Sequence, residues 1–196
     1  MRVLIGCEFS GVVRRAFRDR GHDAWSCDLL PAEDGSPFHF QCDVRDVLSD
    51  GWELAIFHPP CTYLSYVGTR HWNNQGRVYK RIEALEFFAD LWTAPIDKIC
   101  IENPKGCASP TIAKYSQIIQ PYYFGDPHVK AACLWLKNLP LLHYSELNKK
   151  PKPLAVTPSG KNLYFEECTK SDDKGHTRSI TFPGIARAMA DQWGQI

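Results

Sequence analysis

Pro59-Pro60-Cys61-Thr62 follows an apolar run at residues 53–57. Two consecutive prolines fix φ and remove backbone donors, so the chain there is stiff. A cysteine held at such a step, where a turn or helix begins, can have a lowered pKa and act as a thiolate nucleophile. The same residue can equally be inert packing in a rigid loop. Glu102-Asn103-Pro104 ends a second apolar run at residues 98–101. A carboxylic acid against an apolar wall stays partly protonated near neutral pH and can serve as an acid. The plainer reading is a loop acid, with Asn103 capping a turn. As a pair, Cys61 and Glu102 suit addition to an electron-poor pyrimidine. The thiolate adds to C6 of cytosine and the acid meets N3. C5 then becomes a carbon nucleophile able to take a methyl group from a sulfonium donor.

Such a donor needs its own pocket. Cys7-Glu8-Phe9-Ser10-Gly11 joins a first strand to a first helix, and Gly11 would let a ligand approach the backbone. No second glycine completes a G-x-G pattern, because position 13 is Val13, and no phosphate loop is present. Asp28 and Asp43 close two further strands. A carboxylate after the second strand can accept both hydrogen bonds of a ribose diol. Each acid alone could instead cap a short helix; with the first loop they outline a nucleoside pocket. His58, beside the prolines, either lines that pocket or packs in the core.

The elements that must position these residues read as strands alternating with helices. Residues 2–6, 23–27, 39–42, 53–57 and 98–101 are short apolar strands. Residues 118–124 and 132–136 add two more. Ser10 serves as N-cap of a helix whose apolar face is Val12, Val13, Ala16 and Phe17, with Gly21 at its end. Arg14, Arg15, Arg18 and Arg20 fall on the opposite face, read as solvated. Residues 77–92 form the clearest helix, with Val78, Ile82, Leu85, Phe88 and Trp92 on one side. A helix is also read at 109–116, and the last helix spans 182–193. Residues 148–157 read as irregular. The pattern predicts an α/β fold with a mostly parallel sheet, helices on both faces and an antiparallel strand pair. Ligands of such sheets bind at the carboxyl ends of the strands, where the unusual residues fall.

Composition excludes several classes. The 196 residues carry 23 Lys and Arg against 22 Asp and Glu, so there is no basic coat of the kind that wraps nucleic acid. No apolar run nears the ~18 residues of a membrane span. The eight cysteines show neither C-x-x-C pairing nor zinc spacing, so no metal is expected. With no export signal, the chain reads as reduced and cytoplasmic.

On these residues the sequence resembles the S-adenosylmethionine-dependent DNA cytosine-5 methyltransferases, and their short phage and prophage-type members in particular. Residues 7–11 resemble the family's first motif, which implies donor contacts from Glu8, Phe9, Ser10 and Gly11. Asp28 with Leu29 implies the ribose contact, and Asp43 with Val44 the adenine contact. Pro59-Pro60-Cys61 with Tyr63, Leu64 and Ser65 resembles the nucleophile motif. It implies Cys61 as nucleophile, Pro60 beside the donor, and Pro59 and Ser65 toward the substrate. Glu102-Asn103 resembles the acid motif, and Lys130 stands in for the family's base-contacting arginines. The resemblance implies a Rossmann-like class I methyltransferase, S-adenosyl-L-methionine as donor, and nucleic acid, DNA above all, as partner. It spans one catalytic domain, residues 1–196. Only residues 145–177 occupy the place of a target-recognition domain, too few for an independent reader of base edges. A homo-oligomer or a separate recognition subunit could supply what is missing. Two other readings remain: a methyltransferase acting on an exocyclic amine, RNA or a free nucleotide, and a non-catalytic binding subunit of the same fold.

Overall fold

In the computed structural model, residues 1–144, 149–158, 160, 162–164 and 180–196 are described. The core is one seven-stranded sheet in the order β3-β2-β1-β4-β5-β7-β6. Its strands are β1 (Arg2–Gly6), β2 (Asp23–Asp28), β3 (His39–Gln41), β4 (Leu54–Phe57), β5 (Lys98–Asn103), β6 (Gln117–Ile119) and β7 (Ala132–Lys137). The first five run parallel, and β7 is antiparallel to both β5 and β6. This is the mostly parallel α/β sheet read from the sequence. A separate hairpin, β8 (Ala155–Val156) with β9 (Asn162–Leu163), falls partly in the stretch read as irregular.

Side chains of successive strand residues point to opposite faces, and both faces are covered. Leu4, Ala55, Phe57, Ile99, Ile101 and Trp135 pack with Phe88 and Leu91 of α2 (Arg77–Trp92) and Ala108 of α3 (Ala108–Thr111). Val3, Ile5, Leu54, Ile56, Cys100 and Leu134 pack beneath α1 (Val12–Arg18) and α4 (Pro183–Trp193). Strands buried on both sides are therefore apolar runs rather than alternating ones.

Several local expectations change. The N-cap of α1 is Gly11, left-handed at φ 69°, not Ser10. A Cβ at Gly11 would strike the Arg14 guanidinium. Asp19 is the C-cap, and Gly21 lies beyond it, donating to the Arg18 carbonyl at 2.9 Å. The helix read at 109–116 shortens to one turn. The strand read at 118–124 splits into β6 and a 3-10 turn at Pro121–Phe124, because Pro121 cannot donate to a ladder. On α2, Phe88 is buried but Val78 and Ile82 are about half exposed, so the apolar face of that helix extends past the sheet it covers.

Arg14 departs furthest from its expected place on the helix. It is not on a solvated face but almost wholly buried, at 1% exposure. Its Nη1 donates to Ser26 Oγ at 2.8 Å and its Nη2 to Asp34. Arg15 reaches the same Asp34 oxygen at 2.6 Å. Burial alone would raise the Asp34 carboxyl, but the two guanidinium groups hold it down at about 2.

Candidate active site

β1, β4 and β5 lie side by side, so the loops leaving their carboxyl ends meet at one edge of the sheet. There they enclose a cleft of about 140 Å³. The loop after β4 contributes His58, Pro59, Pro60 and Cys61, and β5 contributes Glu102 and Asn103. Lys130 enters from the approach to β7, and Thr181 with Phe182 from the segment leading into α4. The predicted nucleophile and acid are thus brought into one pocket, together with Pro59, Pro60, Asn103 and Lys130.

Among the described cysteines Cys61 alone is exposed. The others are held in the fold, and burial pushes several thiols up. Cys133 rises to about 11, while Cys7, Cys27, Cys100 and Cys107 are all raised with desolvation as the largest cause. An alkyl thiol that cannot ionise is a poor nucleophile, so accessibility singles out Cys61.

The Cys61 loop is fastened at both ends. Asn103 Nδ2 donates to the Pro59 carbonyl at 2.8 Å, tying the prolines to the acid strand. The amides of Leu64 and Ser65 donate to the Cys61 carbonyl at 3.1 and 2.9 Å. Ser65 and Gly106 then form a bridge, where a Cβ on Gly106 would collide with the Leu64 carbonyl. Ser65 itself is buried away from the cleft, and its Oγ accepts from Val67 N at 3.2 Å to cap a 3-10 turn at Tyr66–His71.

Glu102 is partly exposed, and its Oε2 lies 3.6 Å from His58 Nδ1. The His58 side chain is 7% exposed, with Nδ1 also 3.5 Å from Thr181 Oγ1. Its Nε2 and the Asn103 Oδ1 are buried with no hydrogen-bond partner among the described residues. Both are polar atoms that a polar ligand in the cleft could satisfy.

The proposed donor residues gather at the ends of β1 to β3. Cys7 turns the chain out of β1 with φ 59°. Gly6 of β1 pairs with Cys27 and Asp28 pairs with Gln41 of β3, so Asp28 and Asp43 follow neighbouring strand ends at the same sheet edge as the end of β1. Asp28 Oδ1 accepts from Leu30 N at 2.9 Å. Asp43 caps the turn at Val44–Val47 through Arg45 N at 2.9 Å, and Arg45 Nη2 reaches its other oxygen at 2.6 Å. That side-chain pairing lowers the Asp43 carboxyl. Glu8 is turned inward: its oxygens accept from Val13 N at 2.7 Å and Arg14 N at 3.3 Å, closing the start of α1. Burial raises the Glu8 carboxyl, and His58 and the α1 amides oppose it. Phe9 is half-buried, Ser10 and Gly11 are buried in the turn, Val44 is in the core, and Leu29 is 71% exposed.

Sequence reasoning missed Cys7, Thr181 and Phe182 as wall residues. Thr181 lies 123 positions from His58 in sequence, and α4 packing against α1 returns it and Phe182 to the cleft. Residues 145–148, 159, 161 and 165–179, which include most of the segment read as a reduced recognition region, lie outside the described residues.

No family model matches the chain. No curated protein matches it either. Among solved structures, the chain is similar to a triple mutant of DNMT2 from Spodoptera frugiperda. The identity is 17% and the TM-score 0.40, over 78% of this chain and 57% of that one. The chain thus spans little more than half the length of that protein. No helix among the described residues is long and apolar enough to cross a membrane.

Proposed function

We propose that the chain transfers a methyl group from S-adenosyl-L-methionine to C5 of cytosine in nucleic acid, with DNA as the acceptor. The observation that supports this most is the placement of the exposed Cys61 and of Glu102 in one cleft at the carboxyl edge of a parallel sheet.

In this reading Cys61 Sγ adds as thiolate to C6 of the base, while N3 takes a proton from Glu102. C5 gains the electron pair and would bond to the methyl carbon as that carbon's bond to the donor's sulfonium sulfur breaks, leaving a neutral thioether. Loss of the C5 proton to a base then expels Cys61 as thiolate, and the N3 proton returns to Glu102. Asn103 holds the Pro59 carbonyl and so fixes the approach of Cys61. Lys130, over the Phe182 ring at 5.5 Å, places a cation at the rim. Asp28 and Asp43, at neighbouring strand ends beside the end of β1, fit a nucleoside with hydroxyl and amine donors, and they are the residues to hold the methyl donor. When bound, that donor supplies an electrophilic methyl carbon on a sulfonium.

The test is direct. The chain is incubated with isotopically labelled donor and, separately, duplex DNA, single-stranded DNA, RNA and deoxycytidine nucleotides. Product is digested and the modified base identified. Label in 5-methylcytosine of DNA is expected; label only on an exocyclic amine, or on no acceptor, overturns the proposal.

A further inference from the structure

A second concavity, about 380 Å³, lies beside the catalytic cleft and is separate from it in its lining. Its walls come from the two segments that also carry Cys61 and Glu102. Tyr66 stands just after the fastened nucleophile loop, and Lys105 and Gly106 just after the acid strand. The two segments are stitched by the Ser65–Gly106 bridge and by Tyr66 N donating to the Lys105 carbonyl at 3.1 Å. The far side is Ser109, Lys114 and Tyr115.

We infer that this concavity is a subsite for a nucleotide flanking the cytosine that enters the catalytic cleft, an inference that rests on the reading just proposed. Tyr66 lines the hollow at 39% exposure, its ring held tilted against Trp72 with centroids 5.6 Å apart. Tyr115 is anchored edge-on against buried Trp135, with centroids 6.0 Å apart, so it is a rigid wall. Aromatic rings beside a groove are platforms on which unpaired bases stack, whatever their identity. Lys105 and Lys114 are exposed at the same hollow, and no acidic side chain among the described residues forms a salt bridge with either. An apolar floor with two cations that form no salt bridge among the described residues suits a ring joined to a phosphate. Rigid stitching to the catalytic loops gives this site a fixed offset from Cys61. A base must leave the stack to reach Cys61, so its neighbour is left unstacked and in need of a surface. A net charge of +1 gives no general phosphate attraction, which makes two local lysines count for more.

The full chain is titrated with a fluorescein-labelled short oligothymidylate, which has no cytosine for Cys61, and anisotropy is followed at several salt concentrations. The Lys105→Gln/Lys114→Gln double variant should bind roughly tenfold or more weakly. Its log–log salt slope should be shallower by about 1.4, the value for two lost phosphate contacts on a single strand. Tyr66→Ala should weaken binding by roughly 5- to 100-fold with the slope unchanged, as loss of one stacked base predicts. Transfer to a cytosine-containing oligonucleotide should show a raised KM and an unchanged kcat in both. Wild-type affinity and slope in the double variant overturn the subsite. So does an oligoglutamate that competes as well as the oligothymidylate, which would mark a site for acidic peptides. Oligothymidylate binding with these variant effects, but no methyl transfer to any acceptor, keeps the subsite and ends the proposed reaction instead.

Discussion

His58 Nδ1 sits 3.6 Å from Glu102 Oε2 and 3.5 Å from Thr181 Oγ1, so one buried ring touches the acid strand and the segment before α4. His58 also faces Glu8, whose carboxyl it helps hold down against burial. Through its contact with Oε2 the ring can hold Glu102 in place. His58→Phe, which keeps a ring and removes both nitrogens, should lower kcat by roughly tenfold, about 1.4 kcal/mol on the barrier, by removing the 3.6 Å contact to Glu102. It should also shift the pH–rate profile, with donor affinity unchanged. His58→Gln should recover part of the rate. An unaltered profile in His58→Phe would show that the ring is only packing.

Cys61→Ser should abolish transfer while leaving donor binding nearly intact, because Cys61 lies on the β4 loop and the donor acids lie at β2 and β3. A serine hydroxyl in the same place is a far weaker nucleophile at neutral pH. Retention of more than a trace of 5-methylcytosine formation would rule out the covalent route.

Glu102→Gln should slow turnover by roughly 10²-fold or more, the usual size of a general acid's contribution. It should also weaken trapping by 5-fluorocytosine in an oligonucleotide, measured as the covalent complex on a denaturing gel. Turnover near wild type would remove Glu102 from the reaction.

Asp28→Ala should weaken donor binding by on the order of 1–3 kcal/mol, the cost of leaving a buried polar group without its partner. Asp28 is the cleaner probe of the two acids. Asp43 also caps the Val44–Val47 turn and pairs with Arg45, so its loss would disturb structure as well. Calorimetry showing unchanged affinity in Asp28→Ala would place the donor elsewhere.

Asp34→Ala should cost about 2 kcal/mol of stability, since it strands the buried Arg14 guanidinium. The folded Asp34 carboxyl is held near 2, against an ordinary 3.8. Its contribution is therefore full above pH 3.8 and disappears as the pH falls through about 2. Denaturation curves of the wild type should lose stability in that window, and those of Asp34→Asn should lose less.

Local order was legible in the sequence because it depends on neighbours along the chain. Strands buried on both faces must be apolar runs, and 2–6, 53–57 and 98–101 are such runs. The alternation of strands and helices then forces a mostly parallel sheet and places Cys61, Glu102, Asp28 and Asp43 at its carboxyl edge. What depends on neighbours across the sheet was not legible. Arg14 has the helical spacing of a solvated residue, yet Asp34, twenty positions on, turns it into a buried cation. Ser65 carries a hydroxyl that could have faced a substrate, and the fold uses it to cap a turn. His58 belongs to the site only because β4 lies beside β5 and because α4 returns Thr181 to it. Sequence spacing carries the periods of helix and strand, whereas contacts between strands distant in the chain are set by how whole elements pack, which no local pattern encodes.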